Sequence, residues 1–416
     1  MTHAGTRSVH ADICVVGGGP AGLTLALLLL RSGVRVTVVE RSRSLDREYR
    51  GEILQPGGAA LLDRLGVLAG ARRRGAHEHT GFRFTDRGRV LLVADYRRLP
   101  GPYNQLLSLP QRHLLEELLE QCGQFADFRY LSGQRASELL RDGRGAVRGV
   151  RTTGAERVEV LAHCVVGADG RYSKIRRLAG IEVDRAEAFA HDVLWFRLPA
   201  DGDADGDAES QVRIFRGGGN PVLAYRSFPD TLQVGWTLPH GGYRAEAARG
   251  IDHIAAEIAT SLPMYADRIA ARLGGLSDLT LLDVFTQEAR DWTADGLVLL
   301  GDAAHTHSPI GAQGINLAVQ DAVALHPVLM TALEHRDARA EVLERFTRRR
   351  RPAVRRVMRF QALQSKAMLS QNPVAARVRP RIAGVVSRTP LFRAILRHVA
   401  YGDQGIAVAE DHFVRR

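Results

Sequence analysis

The chain has 416 residues, of which 45% are hydrophobic and 25% are charged. This length accommodates two or three domains with cores of their own. The composition is ordinary for a soluble globular protein, which excludes a fibrous or largely disordered chain. The formal net charge of +11 is carried almost entirely by arginine, since Lys174 and Lys366 are the only lysines. No helix-turn-helix, zinc-finger or aromatic-basic pattern accompanies this charge, so we expect no nucleic-acid partner.

The N-terminal segment, the apolar runs and the cysteines exclude further classes. Met1 to His10 is polar and lacks the charged-then-apolar pattern of a signal peptide. The longest apolar run, Leu23 to Leu30, is too short to span a bilayer. Cys14, Cys122 and Cys164 have no metal-ligand or redox spacing, and their odd number argues against a disulfide framework. We therefore expect a cytoplasmic protein with no transmembrane segment and no metal site.

A glycine-rich loop joins the first predicted strand to the first predicted helix. The loop reads Gly17-Gly18-Gly19-Pro20-Ala21-Gly22. Gly17 permits a tight turn, Gly19 permits close approach of the backbone to a pyrophosphate, and Gly22 permits close packing of helix on strand. The free N–H groups and the positive end of the helix dipole favour a phosphate at this loop.

The next strand is predicted over residues 34–39 and ends at Glu40. This acid follows the loop by about 20 residues, the spacing at which a carboxylate binds a ribose hydroxyl of a dinucleotide. A carboxylate there favours FAD or NAD over NADP, because it repels a 2′-phosphate. Strand, loop, helix, strand and terminal acid together predict a Rossmann-like dinucleotide-binding unit.

The other predicted elements fall into two groups. Those that continue the dinucleotide-binding unit are helices and strands over residues 11–16, 23–30, 56–68, 109–121, 158–166, 297–300 and 315–325. Those of the second group are a hairpin, four strands, a helix and a returning strand over residues 82–96, 193–198, 212–216, 222–228, 232–238, 251–271 and 281–287. Four strands without intervening helices predict a separate antiparallel sheet rather than a continued βαβ array.

Two more glycine motifs lie far downstream of the first. Gly167-Ala168-Asp169-Gly170 ends one predicted buried strand. Gly301-Asp302-Ala303-Ala304-His305 ends another and is followed by Pro309, Gly314 and Asn316. One glycine loop indicates a nucleotide, whereas the three motifs in this order and spacing indicate a flavin.

With these motifs the chain resembles the FAD-dependent monooxygenases built like para-hydroxybenzoate hydroxylase, over most of its length up to Leu325. The resemblance implies an α/β fold with a Rossmann-like FAD-binding domain, an inserted antiparallel β-sheet substrate domain and a C-terminal helical segment. We assign residues 1–75, 103–181 and 288–345 to the first, residues 76–102 and 182–287 to the second, and residues 346–416 to the third.

The resemblance also implies a set of site residues. Those expected to hold FAD are Gly17, Gly19, Ala21, Gly22, Glu40, Arg41, Arg50, Arg112, Asp169, Gly301, Asp302, Pro309, Gly314, Ile315 and Asn316. Asp302 is expected at a ribityl hydroxyl, a role that suits a carboxylate beside a polyol. Pro309 and His307 are the residues that we expect in the catalytic machinery, whereas His305 is expected to be structural.

The resemblance further implies the reaction. NADPH or NADH binds transiently and reduces FAD, since a second strand-glycine loop-helix unit is missing from the sequence. The reduced flavin then reacts with O2 to give a C4a-hydroperoxide, which transfers one oxygen to the substrate. The expected substrate is an aromatic or polyketide-like small molecule, held in a dry pocket that the protein supplies.

Other reactions of the same fold stay open. Gly51-Glu52-Ile53-Leu54-Gln55-Pro56-Gly57-Gly58 is similar to the corresponding stretch of squalene epoxidases, which favours an alkene substrate. Residues 380–401 mix apolar side chains with arginine and are typical of an amphipathic cap over an apolar substrate. A prenyl-chain reductase would use the flavin without inserting oxygen. The paired-tryptophan motif of the flavin halogenases is missing, and Trp236-Thr237-Leu238-Pro239 is only a faint echo of it.

The densest basic cluster lies on a helix predicted after the flavin region. It contains Arg348 to Arg351, Arg355, Arg356 and Arg359. A solvated helix face is one interpretation of this cluster. The alternative is a surface for an acidic carrier protein or an anionic membrane.

Overall fold

A computed structural model describes residues 7–46, 51–186, 191–200, 210–217, 219–369 and 389–414. Its centre is a six-stranded sheet with the strand order Thr293–Ala294, Leu297–Leu299, Cys164–Gly167, Ile13–Val16, Val36–Glu40 and Phe128–Ser132. The first two strands in this order are antiparallel, and all the other neighbours are parallel. The four residues of Ile13–Val16 are all buried, because helices or further sheet cover both faces of a parallel sheet. The predicted strands over 11–16, 34–39 and 297–300 are thereby confirmed within one or two residues.

Seven helices accompany this parallel sheet in the part of the chain that the structure describes: Pro20–Arg31, Pro56–Arg64, Leu68–Arg73, Gln111–Gly123, Lys174–Leu178, Gly314–Glu334 and Ala340–Leu369. The longest two are joined by a short turn and pack on one another. Gly314–Glu334 is long and apolar enough to cross a membrane, but 72% of its most apolar window is buried inside the protein. Such burial is typical of a core helix in a folded domain. Gly314–Glu334 packs on the glycine-loop helix Pro20–Arg31.

The second large sheet has seven strands, in the order Thr280–Leu282, His191–Pro199, Thr231–Pro239, Val222–Ser227, Gln211–Arg216, Gly81–Asp86 and Arg89–Asp95. All its pairs are antiparallel except Gln211–Arg216 with Gly81–Asp86, which is parallel. The separate sheet is therefore confirmed, with one parallel pair that the strand pattern does not predict. Helices Tyr243–Ala248, Ile251–Ser261 and Ala266–Arg272 cover one face, and the single helix predicted over 251–271 is wrong because a 3-10 turn at Pro263–Tyr265 interrupts it.

Two predicted strands are each divided between sheets. The strand predicted over 158–166 is two strands, Val158–Leu161 and Cys164–Gly167, because the chain bends at His163. The strand predicted over 281–287 is likewise two strands that lie in different sheets, Thr280–Leu282 and Thr286–Ala289. Val158–Leu161 lies in a small sheet with Arg7–His10, Val147–Thr153 and Arg135–Arg141. Thr286–Ala289 lies in another, between Val183–Ala186 and His305–Thr306. A further small sheet contains Ile53–Leu54, Leu106–Ser108 and His77–His79.

The C-terminal region packs on helices that accompany the parallel sheet. Ala340–Leu369 is one continuous helix across residue 345, where we placed the end of the FAD-binding domain, so this boundary does not coincide with the end of an element. Helix Pro390–Tyr401 follows and packs on helix Pro56–Arg64. The tail then reaches the glycine-loop helix, where the N–H of Val414 donates to the carbonyl of Arg31. The domain limits stay a prediction.

Candidate active site

A continuous cavity of about 1040 Å³ lies between the parallel sheet and the seven-stranded sheet. One half is lined where parallel strands end, by residues such as Val16, Val39 and Leu300. The carboxyl edge of a parallel sheet is the usual binding place of a dinucleotide. The other half is lined by apolar side chains of the seven-stranded sheet and of helix Pro390–Tyr401. The cavity therefore joins a nucleotide groove to an apolar chamber.

The glycine loop forms one wall of the nucleotide groove. Gly17 has a φ of +115°, and a Cβ at this position would lie 2.2 Å from the carbonyl oxygen of Ala168, so only glycine fits. Helix Pro20–Arg31 begins at the groove, and no side chain in the described part of the chain caps it. Its first N–H groups are thus free for a phosphate. Gly19 and Ala21 line the cavity beside them.

Glu40 closes the groove at the end of the second parallel strand. Its side chain is buried, and its carboxylate accepts the backbone N–H groups of Gly18 at 2.7 Å and Ser42 at 2.9 Å. These bonds fix the carboxylate at the cavity wall, beside the exposed Arg41. A fixed acceptor here fits a ribose diol of FAD.

Asp169 of the second motif lies at the groove but caps a helix. Its carboxylate accepts the N–H groups of Lys174 at 2.6 Å and Ile175 at 3.0 Å, and the hydroxyl of Ser173. Burial raises the pKa of this carboxyl, and the hydrogen bonds oppose that rise. Asp169 therefore holds the loop that follows it, and its predicted contact with the cofactor stays a prediction.

Asp302 of the third motif lines the cavity. Its carboxylate is half-buried and lies 3.6 Å from Nε of Arg171, which also lines the cavity. Pro309, Gly314 and Ile315 line it further along, where helix Gly314–Glu334 begins. This wall therefore presents a carboxylate, a glycine-rich turn and a helix N-terminus. Such a wall fits a polyol chain that leads to a ring system, as in FAD.

His305 and His307 have different environments. His305 is fully buried, and its Nε2 lies 2.7 Å from the carboxylate of Asp321, whose other oxygen accepts Nε of Arg350 at 2.7 Å. This network joins three elements of the core, which agrees with a structural role for His305, and that role stays a prediction. Its neighbour His307 instead lines the cavity.

The tautomer of His307 follows from the partners of Nδ1. Nε2 of Gln361 lies 3.5 Å away, but its two N–H groups are taken by the carbonyls of Ser308 at 2.9 Å and Ile310 at 2.7 Å. Nδ1 lies 3.0 Å from the carbonyl oxygen of Ser308, which only accepts hydrogen bonds, so Nδ1 carries the proton. Nε2 is then left with the lone pair. Burial lowers the pKa of His307, so the ring is neutral at pH 7. His307 can therefore accept a proton, and its catalytic role stays a prediction.

Three predicted cofactor residues lie behind or beside the cavity. Gly22 packs on the glycine loop, where a Cβ would lie 2.0 Å from the carbonyl of Gly17. Gly301 makes the turn before Asp302, with a φ of +59°. Asn316 accepts the N–H of Gln55 at 3.1 Å and donates to the carbonyl of Ala312 at 2.9 Å, so it holds the loop before it.

Two of the three predicted arginine contacts, unlike Arg41, have no support from the described geometry. Arg112 is exposed, and it pairs with Glu116 at 2.6 Å and with Asp46 at 2.8 Å. Gln111, one residue earlier on the same helix, lines the cavity. Arg50 lies outside the described residues. Both arginine assignments stay predictions.

The apolar chamber was the part least visible in the sequence. Its lining includes Phe82, Phe84, Leu92, Trp195, Ile214, Leu223, Tyr225, Phe392, Ile395, Leu396 and Val399. Trp195 and Tyr225 face the chamber, whereas Trp236 faces the covering helices on the other side of the sheet. Alternation along strands predicts that neighbours face opposite ways, but not which of them faces the cavity.

The amphipathic cap predicted over 380–401 is confirmed for the part that is described. Phe392, Ile395, Leu396 and Val399 have the i, i+3, i+4, i+7 spacing of one helix face, and all four line the cavity. Residues 380–388 lie outside the described residues. The helix therefore closes the apolar chamber.

The basic cluster lies on helix Ala340–Leu369, where Arg350 is fully buried against Asp321 and the other members lie at or near the surface. Arg351 and Arg355 both pair with Glu288, each at 2.9 Å. Arg348 and Arg356 are exposed. Part of the cluster thus holds the helix on the protein, and the rest is a positively charged surface.

These features define a flavoprotein oxygenase of the Rossmann-like type, and comparison with known proteins agrees. The family model described as FAD binding domain matches residues 10–361, so the chain belongs to this family of flavin-dependent aromatic monooxygenases. It is 60% identical over 405 residues to 6-methylpretetramide 4-monooxygenase of Streptomyces rimosus, which covers 97% of this chain and 95% of that relative. The chain is a flavin-dependent monooxygenase.

More distant relatives and solved structures share the architecture. The 3-demethoxyubiquinol 3-hydroxylase of Escherichia coli is 27% identical over 82% of this chain and 85% of its own length. The structure of PqsL from P. aeruginosa in complex with 2-aminobenzoylacetate has a TM-score of 0.76 and 26% identity, over 91% of this chain and 99% of that one. The p-nitrophenol 4-monooxygenase of Pseudomonas putida has a TM-score of 0.79 at 21% identity, over 96% of this chain and 100% of that one, and shows the fold.

Proposed function

We propose that this monooxygenase hydroxylates a polycyclic aromatic polyketide of the 6-methylpretetramide type. The observation that carries the proposal is the continuity of the cavity, in which the FAD groove opens directly into an apolar chamber walled by aromatic side chains. A flat, largely apolar ring system fits such a chamber. The relative that is 60% identical is named for 6-methylpretetramide, which supports this substrate class.

The residues of the chain would prepare the reaction. Bound FAD would supply the redox chemistry that links the nicotinamide, O2 and the substrate. Trp195, Tyr225 and helix Pro390–Tyr401 hold the aromatic rings and exclude water. The N-terminus of helix Gly314–Glu334 stabilises negative charge on the reduced cofactor. His307 accepts the proton of a phenol hydroxyl at Nε2, because its Nδ1 is committed to Ser308.

The reductant, the location in the cell and the further partners are also proposals. We assign NADPH or NADH as a transient reductant and O2 as co-substrate, and we place the protein in the cytoplasm. An acidic carrier protein or an anionic membrane surface would bind the exposed arginines of helix Ala340–Leu369, such as Arg348 and Arg356.

Epoxidation of an alkene is the second candidate reaction. The 51–58 stretch that resembles squalene epoxidases lies at the cavity, where Gly51, Glu52 and Ile53 line the wall. The apolar helix Pro390–Tyr401 suits an alkene as well as an aromatic ring. A prenyl-chain reductase of the same fold would turn over without O2. A requirement for O2 therefore distinguishes a monooxygenase from a reductase.

The test is turnover of 6-methylpretetramide by the purified, FAD-loaded protein with NADPH or NADH and isotopically labelled O2. We expect a product that carries one labelled oxygen atom on an aromatic ring, and nicotinamide oxidation coupled to it. Label in an epoxide of an alkene substrate would favour the second candidate. Turnover under argon, or nicotinamide oxidation without labelled product from either substrate, would overturn the proposal.

A further inference from the structure

Residues 308–313 form a loop on the cavity wall whose carbonyl groups are held by glutamine side chains. The amide of Gln55 donates to the carbonyl of Gly311 at 2.8 Å. The amide of Gln361, on helix Ala340–Leu369, donates to the carbonyls of Ile310 at 2.7 Å and Ser308 at 2.9 Å. All of these donors are buried or nearly so, and none carries a charge. The loop conformation is thus set from outside by neighbouring elements.

The loop needs such support because its backbone is strained. Gly311 has a φ of +74°, and Ala312 has a φ of +51°. The left-handed region is unfavourable for alanine, so this conformation persists only where the surrounding contacts over-determine it. A movement of one of the supporting side chains therefore changes the conformation of the loop.

Gln313 provides a third contact, and it reaches a different part of the protein. Its backbone carbonyl accepts the N–H of Leu317 in the first turn of helix Gly314–Glu334, and its side chain is buried. Its amide donates to the carbonyl of Val399 at 2.8 Å and, within the loop, to the carbonyl of Gly311 at 3.2 Å. Val399 lies in the last turn of helix Pro390–Tyr401, where a carbonyl has no partner inside the helix. One side chain therefore joins the loop to the helix that closes the apolar chamber.

We propose that Gln313 is a positioning residue that couples the binding of the aromatic substrate to the geometry of the flavin site. A substrate packed against Phe392, Leu396 and Val399 fixes the position of this helix. Through the bond between Gln313 and Val399 the helix fixes the strained loop, which lies on the wall of the FAD groove. The inference rests on the proposed function, since it needs a substrate in the apolar chamber.

Gln320 offers a matched control. It lies two turns further along helix Gly314–Glu334, and its amide donates to the carbonyl of Tyr401 at 3.3 Å, so it holds the end of the same closing helix. Its side-chain oxygen accepts Nη2 of the buried Arg350 at 3.4 Å. It does not belong to the 308–313 loop. Gln320→Ala therefore weakens the docking of helix Pro390–Tyr401 without touching the loop, whereas Gln313→Met removes the donor from the loop and keeps the side-chain volume.

The experiment measures the FAD dissociation constant by flavin fluorescence, with and without saturating 6-methylpretetramide. The ratio of the two constants is a coupling factor that is independent of turnover. We expect FAD to bind more tightly in the presence of substrate to the wild type, and this factor to fall by about threefold to tenfold in Gln313→Met, the worth of one hydrogen bond. Gln320→Ala is expected to keep the wild-type factor.

Three results would overturn the coupling: a factor of one in the wild type, an unchanged factor in Gln313→Met, or an equal loss in Gln320→Ala. If Gln313→Met does not retain FAD, Gln313→Asn tests the same bond, because its shorter amide does not reach Val399. Substrate binding itself is followed separately by tryptophan fluorescence. Failure of 6-methylpretetramide to bind counts against the proposed function, whereas binding with no effect on FAD affinity counts against Gln313.

Discussion

The carboxylate of Glu40 accepts the backbone N–H of Gly18 at 2.7 Å, although 22 residues separate them. The bond joins the end of one parallel strand to the glycine loop that follows its neighbour. It leaves Glu40 as a fixed, negatively charged acceptor on the wall of the nucleotide groove. The loop and the acid therefore form one site rather than two.

Glu40→Gln should weaken FAD binding. The amide keeps the shape but loses the charge, and hydrogen bonds to charged groups contribute about 1.5–3 kcal/mol. We expect the dissociation constant of FAD, measured by fluorescence titration, to rise about tenfold or more. Glu159→Gln, which removes an acid that pairs with Arg151 on another sheet, is the control and should leave FAD affinity unchanged. Equal FAD affinity in Glu40→Gln and the wild type would contradict the assignment.

Gly235→Ala should damage the substrate chamber and spare the FAD groove. Gly235 lies opposite Trp195 in the sheet, and a Cβ there would lie 2.7 Å from the indole ring. The ring would be forced toward the cavity, an overpacking that costs about 1–3 kcal/mol. We expect a roughly tenfold weaker affinity for 6-methylpretetramide with unchanged FAD affinity. Adding Trp195→Phe should restore part of the loss, and a loss confined to FAD affinity would refute this account.

The variants His307→Asn and His307→Gln distinguish the role of Nδ1 from the role of Nε2. Asparagine retains a donor near the Nδ1 position for Ser308 but lacks any group at Nε2, whereas glutamine reaches the Nε2 position. If Nε2 accepts a substrate proton, the asparagine variant should lose about 10²–10⁴ in turnover rate. The absorbance of the bound phenol should then show less phenolate than in the wild type. Wild-type turnover by His307→Asn would exclude His307 as the base.

The pH dependence of turnover gives a further check on His307. Burial lowers its pKa below 6.5, with Asp302, His305 and Arg171 as the charged or titratable neighbours. A group with a lowered pKa stays neutral, and able to accept a proton, until the pH falls through that value. The wild-type rate should therefore be retained as the pH falls from 7 to 6.5 and be lost only at lower pH.

Asp321→Asn should strongly destabilise the protein. Asp321 is fully buried between His305 and Arg350. The substitution removes its negative charge and leaves the buried Arg350 guanidinium with the carboxylate of Asp403, 3.6 Å away, as its nearest counter-ion. Breaking such a pair costs about 3–5 kcal/mol. Urea or thermal unfolding measures the loss. Asp337→Asn, which breaks an exposed pair with Arg339, should have a much smaller effect, and equal losses would contradict the argument.

Acid should destabilise the fold through His79 and His326. Burial lowers the pKa of each to about 4 from 6.5. Between these values the unfolded chain binds a proton that the native imidazole does not, so stability falls as the pH falls from 6.5 toward 4. The loss is at most about 1.4 kcal/mol per pH unit for each histidine. His326→Gln, which keeps a donor for Ser32, should reduce the slope by about one proton.

The sequence by itself determined the cofactor domain. Gly17, Glu40 and Asp302 each follow a buried apolar strand, and local rules for turns, helix starts and strand ends are enough to predict where each lies. The carboxyl ends of parallel strands meet at one edge of a sheet, so three motifs far apart in the chain were expected at one site. The resemblance supplied the roles of the individual residues.

Only the tertiary structure decided the substrate chamber and its connection to the flavin loop. Whether Trp195 or Trp236 faces the cavity depends on strand pairing, since a shift of one residue turns every side chain to the other face. The bond from Gln313 to Val399 joins residues 86 positions apart, and a glutamine has no sequence signature for a distant carbonyl. Local patterns reflect local geometry, whereas these contacts exist only after the helices and both sheets have packed together.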